Sequence, residues 1–162
     1  MILPILTDPN PILRTPGRFL TASDLSTANF KQFIIDLVET MYAKDGVGIA
    51  APQVGESIQV CAIAKDFTAD KKSDLILINP IWEKKSIKRA WGEEGCLSVP
   101  NIFGKVKRCK KILITALDTA GKPIKIEAED FFARIVQHEI DHLNGILFVD
   151  KAKDLYEVDK KL

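Results

Sequence analysis

The chain has 162 residues, 46% of them hydrophobic, enough for one domain with a single well-buried core. A formal net charge of +1 with 28% charged residues excludes a bulk polyanion binder and a disordered chain. Two tyrosines and two tryptophans offer little for base stacking, so no direct nucleic-acid partner is expected, and the lysine runs (Lys71-Lys72, Lys84-Lys85, Lys105 to Lys111) read as solvated faces.

In chain order, the opening residues have neither a basic leader nor an apolar stretch of membrane-spanning length. Three cysteines in such a chain predict a reducing, cytoplasmic setting with no disulfide framework and no membrane association. Residues 1–25, rich in proline and turn formers, read as a wrapped arm. Phe30, Ile34, Leu37 and Met41 recur at i, i+4, i+7 and i+11, predicting an amphipathic helix over 26–44 that Asp45-Gly46 stops. Strands are predicted at 58–64, 75–78, 85–91 and 106–117, then a turn at Asp118 to Gly121 and a return strand at 124–128.

A last helix is predicted from Asp130, as N-cap, to Leu143, with Gly145 as its stop. Phe132, Val136 and Ile140 would face the sheet. Phe131, Ile135, His138 and His142 share the other stripe, which would set an apolar pocket beside the two imidazoles. Helices near both ends with strands between give an α+β class, a single domain over 1–162.

His138 and His142 are the only histidines, in Gln137-His-Glu-Ile-Asp-His142. At i and i+4 on a helix both can reach one cation, and Glu139 lies where it can act on a water there. This H-E-x-x-H pattern predicts a metal-dependent hydrolase, which needs a third protein ligand and an open position. Phe148 falls where a third histidine would complete a longer pattern and cannot ligate. Glu157 is the one downstream glutamate available. Among cysteines, Cys61 sits in an apolar strand and reads as inert, and Cys109 sits among lysines. Cys96 lies in the glycine-containing turn Glu94-Gly95-Cys96-Leu97-Ser98, where backbone N–H groups can point at the same centre.

Three motifs, Gly46-Val-Gly-Ile-Ala-Ala-Pro-Gln53, Glu94-Gly-Cys-Leu-Ser98 and Gln137-His-Glu-Ile-Asp-His142, together resemble the peptide deformylases in order and spacing. The opening Pro-Asn-Pro-Ile-Leu-Arg14 and Ile78-Asn-Pro80 extend the likeness over nearly the whole chain. The resemblance implies removal of the formyl group from N-formyl-Met nascent peptides, with release of formate. It implies Cys96, His138 and His142 as ligands of one divalent ion, Fe²⁺ first, with Zn²⁺, Ni²⁺ or Co²⁺ also able to serve. Glu139 would be the general base and acid, and Gln53 with the Leu97 backbone N–H would meet the oxyanion.

Val47, Gly48 and Gly95 would pair with the extended peptide, and Val47, Phe131, Ile135 and the stems of Glu94 and Arg134 would wall the methionine pocket. A Glu94–Arg108 pair would support the Cys96 turn. The chain departs from the family at Phe103-Gly104, where many members carry an arginine, and at Arg134, a position commonly aliphatic. Only twelve residues follow Asp150, so ribosome docking through a long final helix is not carried over.

Overall fold

The computed structural model describes residues 1–159. The arm holds two short helical turns, one over Pro11–Arg14 and α1 (Ala22–Leu25), the latter closed by a Thr21/Asp24 capping box. Helix α2 (Ala28–Ala43) starts where the Thr27 hydroxyl accepts the Phe30 N–H, and buries Phe30, Leu37 and Met41 as its periodicity requires.

Five antiparallel strands form the larger sheet in the order β1-β2-β3-β6-β7: β1 (Gly48–Ala50), β2 (Val60–Ile63), β3 (Leu75–Lys84), β6 (Lys111–Leu117) and β7 (Pro123–Glu129). A second sheet has β4 (Arg89–Cys96), β5 (Val99–Cys109) and β8 (Lys153–Glu157) in the order β4-β5-β8. Helix α3 (Asp130–Leu143) carries both histidines and packs against strands of both sheets. Val136, Ile140 and Leu143 on α3 join Leu77, Ile112 and Ile114 of the larger sheet in one core cluster. A second cluster packs α2 and the arm onto Ile49, Val60 and Ile78.

Several predicted boundaries change. Strand β3 runs on to Lys84 through a bulge after Ile78, where Asn79 takes φ 52° and ties the arm by bonding Leu20 N–H and O. The strand predicted at 85–91 is therefore set later, at Arg89–Cys96. The run 106–117 is two strands broken at Lys110, because its halves belong to different sheets. Asp130 is not the N-cap: it has φ 51°, Glu129 holds the cap position, and no side chain caps the helix. Gly145 does end it, at φ 76°, and an added Cβ there would lie 2.6 Å from the Arg14 carbonyl oxygen. No helix among the described residues is long and apolar enough to cross a membrane.

Candidate active site

Among the described residues, strand β1 pairs only with β2, and β4 only with β5, so each leaves one edge open. Between them lies a cavity of about 520 Å³ with α3 along it. All the predicted site residues except His142 and Arg108 border it. Those two are buried behind its wall.

The Leu97-Ser98 turn joining β4 to β5 brings Cys96 to α3. Its Sγ is 3.2 Å from His142 Nε2, and the donor atoms of Cys96, His138 and His142 all lie within 4.8 Å of one another. His138 Nδ1 is 2.8 Å from Glu94 Oε1, which leaves its other ring nitrogen for the Cys96 side. Two imidazoles and a thiol converging in this way match the donor set of a catalytic divalent-ion site with a position left over. Glu139 Oε2 is buried without a hydrogen-bond partner among the described residues, a costly state for a carboxylate unless a ligand of the site meets it. The residues present therefore fit a divalent cation. Glu157 stands in β8, exposed and opposite Ile102, outside this group.

Burial pushes the Glu139 carboxyl up to about 7, and the neighbouring His138 opposes the rise. A cation held by the three donors would pull it back down by charge attraction. Burial also lowers His142, whereas at His138 bonds to Cys96 and Glu94 outweigh burial and raise it. Gly48 is what lets Glu139 reach the cavity: a Cβ at residue 48 would lie 2.7 Å from Glu139 Oε1. Gln53 is buried with Oε1 accepting the Ala50 N–H and Nε2 3.5 Å from Cys96 Sγ. Its amide donor therefore points to the thiol side. Cys61 is fully buried and its thiol is pushed up by burial, in keeping with an inert role.

The Glu94–Arg108 pair is present and bidentate at 2.9 Å, and it is part of a larger network. Arg108 Nη1 also donates to Asp141 on α3 at 2.6 Å, and Lys151 reaches the same carboxylate at 3.0 Å. Burial disfavours the Glu94 carboxylate, but Arg108 and His138 override it and hold the group well below the usual range. Arg134 does more than line the cavity. Its stem borders the cavity, but its guanidinium donates to Glu94 Oε2 at 2.7 Å and to the carbonyls of Val106 and Ala90. Gly92 makes that possible, since a Cβ there would lie 2.7 Å from the guanidinium carbon.

Residue reasoning also missed Asp141, Ser98 and Gln137. Asp141 and Gln137 lie inside and beside H-E-x-x-H, and Ser98 closes Glu94-Gly-Cys-Leu-Ser98, so their signal was membership of the motifs themselves. Gln137 clamps the Cys109 backbone through both amide atoms, and Ser98 takes a hydrogen bond from Gln53.

The chain matches the family model described as polypeptide deformylase over residues 2–158. It is 44% identical over 155 residues to peptide deformylase 2 of Vibrio cholerae, covering 95% of this chain and 88% of that one. With peptide deformylase 1 of Bacillus cereus the identity is 43%, covering 96% of each. Among solved structures, the actinonin-bound class I type b peptide deformylase of Acinetobacter baumannii superposes with a TM-score of 0.87 at 35% identity, covering 94% of this chain and 99% of that one. The Met-Ala-Ser-bound form of the same enzyme gives 0.86, also at 35% identity, covering 93% and 98%. The chain belongs to the polypeptide deformylase family, hydrolases that remove the N-formyl group from newly made polypeptides.

Proposed function

We propose that Cys96, His138 and His142 hold the divalent ion of this deformylase and that Glu139, Gln53 and Leu97 perform its chemistry. The observation that carries the assignment is the convergence of the three donor atoms beside a buried, unpartnered Glu139 oxygen, in a cavity between two open strand edges. When bound, the ion supplies Lewis acidity, making a water a better nucleophile and polarising the formyl carbonyl. Glu139 takes the proton from that water and delivers it to the departing amine nitrogen. Gln53 Nε2 and the Leu97 backbone N–H donate to the oxygen that becomes negative as the formyl carbon is attacked. Glu94 fixes the His138 ring through Nδ1, and Arg108 and Arg134 hold Glu94 in turn.

The peptide lies as an added strand between the β1 and β4 edges, its backbone meeting Val47, Gly48 and Gly95, so that recognition of the main chain tolerates any sequence. The methionine side chain enters among Val47, Phe131, Ile135 and the stem of Arg134, an apolar setting that suits an unbranched, adaptable side chain. Fe²⁺ is the native ion, with Zn²⁺, Ni²⁺ and Co²⁺ compatible with the same donors. Residues 1–162 act as a single domain around the metal-binding helix, in the cytoplasm where nascent chains are made. Metal content measured alongside formate release from formyl-Met-Ala-Ser tests the assignment. Stoichiometric metal with formate release is expected, with no cleavage of unformylated Met-Ala-Ser. Internal cleavage of that control would point to an ordinary peptidase.

A further inference from the structure

The two donors proposed to meet the oxyanion stand on segments of different sheets. Gln53 follows β1 in a short helical turn (Ala51–Val54), and Leu97 follows β4. Among the described residues no ladder joins those two strands, because the cavity lies between them, so strand pairing does not set the distance between the donors. The N-terminal arm reaches both segments. The Leu6 N–H donates to the Gln53 carbonyl at 2.7 Å, and the Asp8 N–H donates to the Ser98 carbonyl at 2.9 Å. Two residues of chain span at most about 7 Å, so these two bonds limit how far the Gln53 and Ser98 backbones can separate. A third bond closes the ring: Gln53 Nε2 donates to the fully buried Ser98 Oγ at 3.2 Å. With Oε1 accepting the Ala50 N–H, one Nε2 hydrogen goes to Ser98 and the other is left for the Cys96 side. The arm is itself fastened. Leu13 is fully buried in the Pro11–Arg14 turn, which packs on Ala51–Val54. Arg14 lies 2.5 Å from Asp150 and 3.6 Å from Asp8, and the Gly17 N–H donates to the carbonyl of Leu143, the last residue of α3.

We propose that the Leu6–Asp8 segment sets the spacing between Gln53 and the Leu97-Ser98 turn, with Leu6 and Arg14 as its positioning residues. This rests on the proposed roles of Gln53 and Leu97 and adds the arm, which none of the three motifs contains. Neither Leu6 nor Asp8 borders the cavity, so the arm acts on the reaction through the backbones of Gln53 and Ser98. Donors to an oxyanion count only where they stand at the position that charge develops, and a displacement of about 1 Å there is costly. An uncharged substrate carbonyl depends far less on that placement. A segment that spaces the donors therefore bears on kcat, and leaves the Cys96, His138 and His142 cluster and the methionine pocket as they are.

Leu6→Pro tests this, because it removes the N–H that donates to Gln53 and sets a ring carbon against the same carbonyl. On formyl-Met-Ala-Ser, the metal-loaded variant should lose roughly tenfold to a hundredfold in kcat, less than the loss of a whole donor, with KM within about twofold. Leu6→Ala keeps the N–H and should lose far less. Arg14→Gln loosens the arm at its ion pairs and should lower kcat by about threefold, the scale of a partly exposed pair. A peptide hydroxamate, whose carbonyl oxygen takes the same hydrogen bonds, should bind Leu6→Pro more weakly, whereas a peptide thiol should bind it as it binds the wild type. In a Gln53→Ala background the cost of Leu6→Pro should shrink, since the group it displaces is already gone. A folded Leu6→Pro with wild-type kcat overturns the inference alone, as do equal costs in the two backgrounds, equal weakening of both inhibitors, or loss of metal. Gln53→Ala with normal kcat overturns the proposed role of Gln53 as well. If Leu6→Pro fails to melt cooperatively, Arg14→Gln carries the same comparisons, and a wild-type kcat there overturns the inference.

Discussion

Cys96 and Glu157 were both open to the role of third ligand on residue type, and geometry separates them: the first lies 3.2 Å from His142 Nε2, the second is exposed on β8. Cys96→Ala should abolish stoichiometric metal and formate release, and Glu157→Ala should leave both near wild type, as read by elemental analysis beside a formate assay. The reverse pattern would sink the ligand set. Glu139→Gln keeps shape and removes the proton acceptor, so metal content should hold while turnover falls by on the order of 10² or more. A near-normal rate in that variant would give Glu139 another job. Arg108 is buried between Glu94 and Asp141. Arg108→Met leaves the buried Glu94 carboxylate without its bidentate partner and should cost about 3–5 kcal/mol in urea unfolding. A loss below about 1 kcal/mol would mean that Arg134 and Lys151 compensate.

The two faces of α3 answer to different measurements. Ile140 is 4% exposed in the core, so Ile140→Ala should destabilise by about 2–5 kcal/mol. Phe131 is 51% exposed and leans edge-on against Phe67 at 5.7 Å. Phe131→Ala should leave melting nearly unchanged and instead reduce kcat/KM on formyl-Met peptides by about 1–3 kcal/mol relative to formyl-Ala peptides. Unchanged selectivity would assign that face to packing alone. Helix α3 was legible because its apolar period, its glycine stop and its two histidines agree. Strand β8 was not: Lys-Asp-Leu-Tyr-Glu is polar and exposed throughout, and only pairing with β5 makes it a strand. The break at Lys110 was equally hidden, since no glycine or proline marks it and the cause is a change of sheet.

Across the whole molecule, the three motifs named residues that the fold brings together at one cavity, because each motif carries its side chains on consecutive or i, i+4 residues. What they left out needs a neighbour distant in sequence. Arg134 turns to Glu94 only because Gly92 makes room, and Phe103 finds its place only because the tail returns. The donor set bears on handling too. The proposed set of a thiol and two imidazoles around Fe²⁺ with an open position would expose both iron and Cys96 to oxygen. Protein purified anaerobically should contain iron and lose activity in air, and nickel or cobalt replacement should preserve much of the rate. Equal activity for an air-exposed zinc form would overturn iron as the native ion without touching the three residues.

On the proposed placement of the peptide, the paired open edges of β1 and β4 would also act as a clock. A slot of that kind, taking the peptide as an added strand, would refuse a segment already committed to a helix or to a neighbouring sheet. The reaction therefore competes with the folding of its own substrate, and the period available closes when the first few residues of the new chain find partners of their own. Proteins whose N-terminal strand docks early should retain the formyl group more often than those whose first residues remain loose, whatever their sequence after methionine.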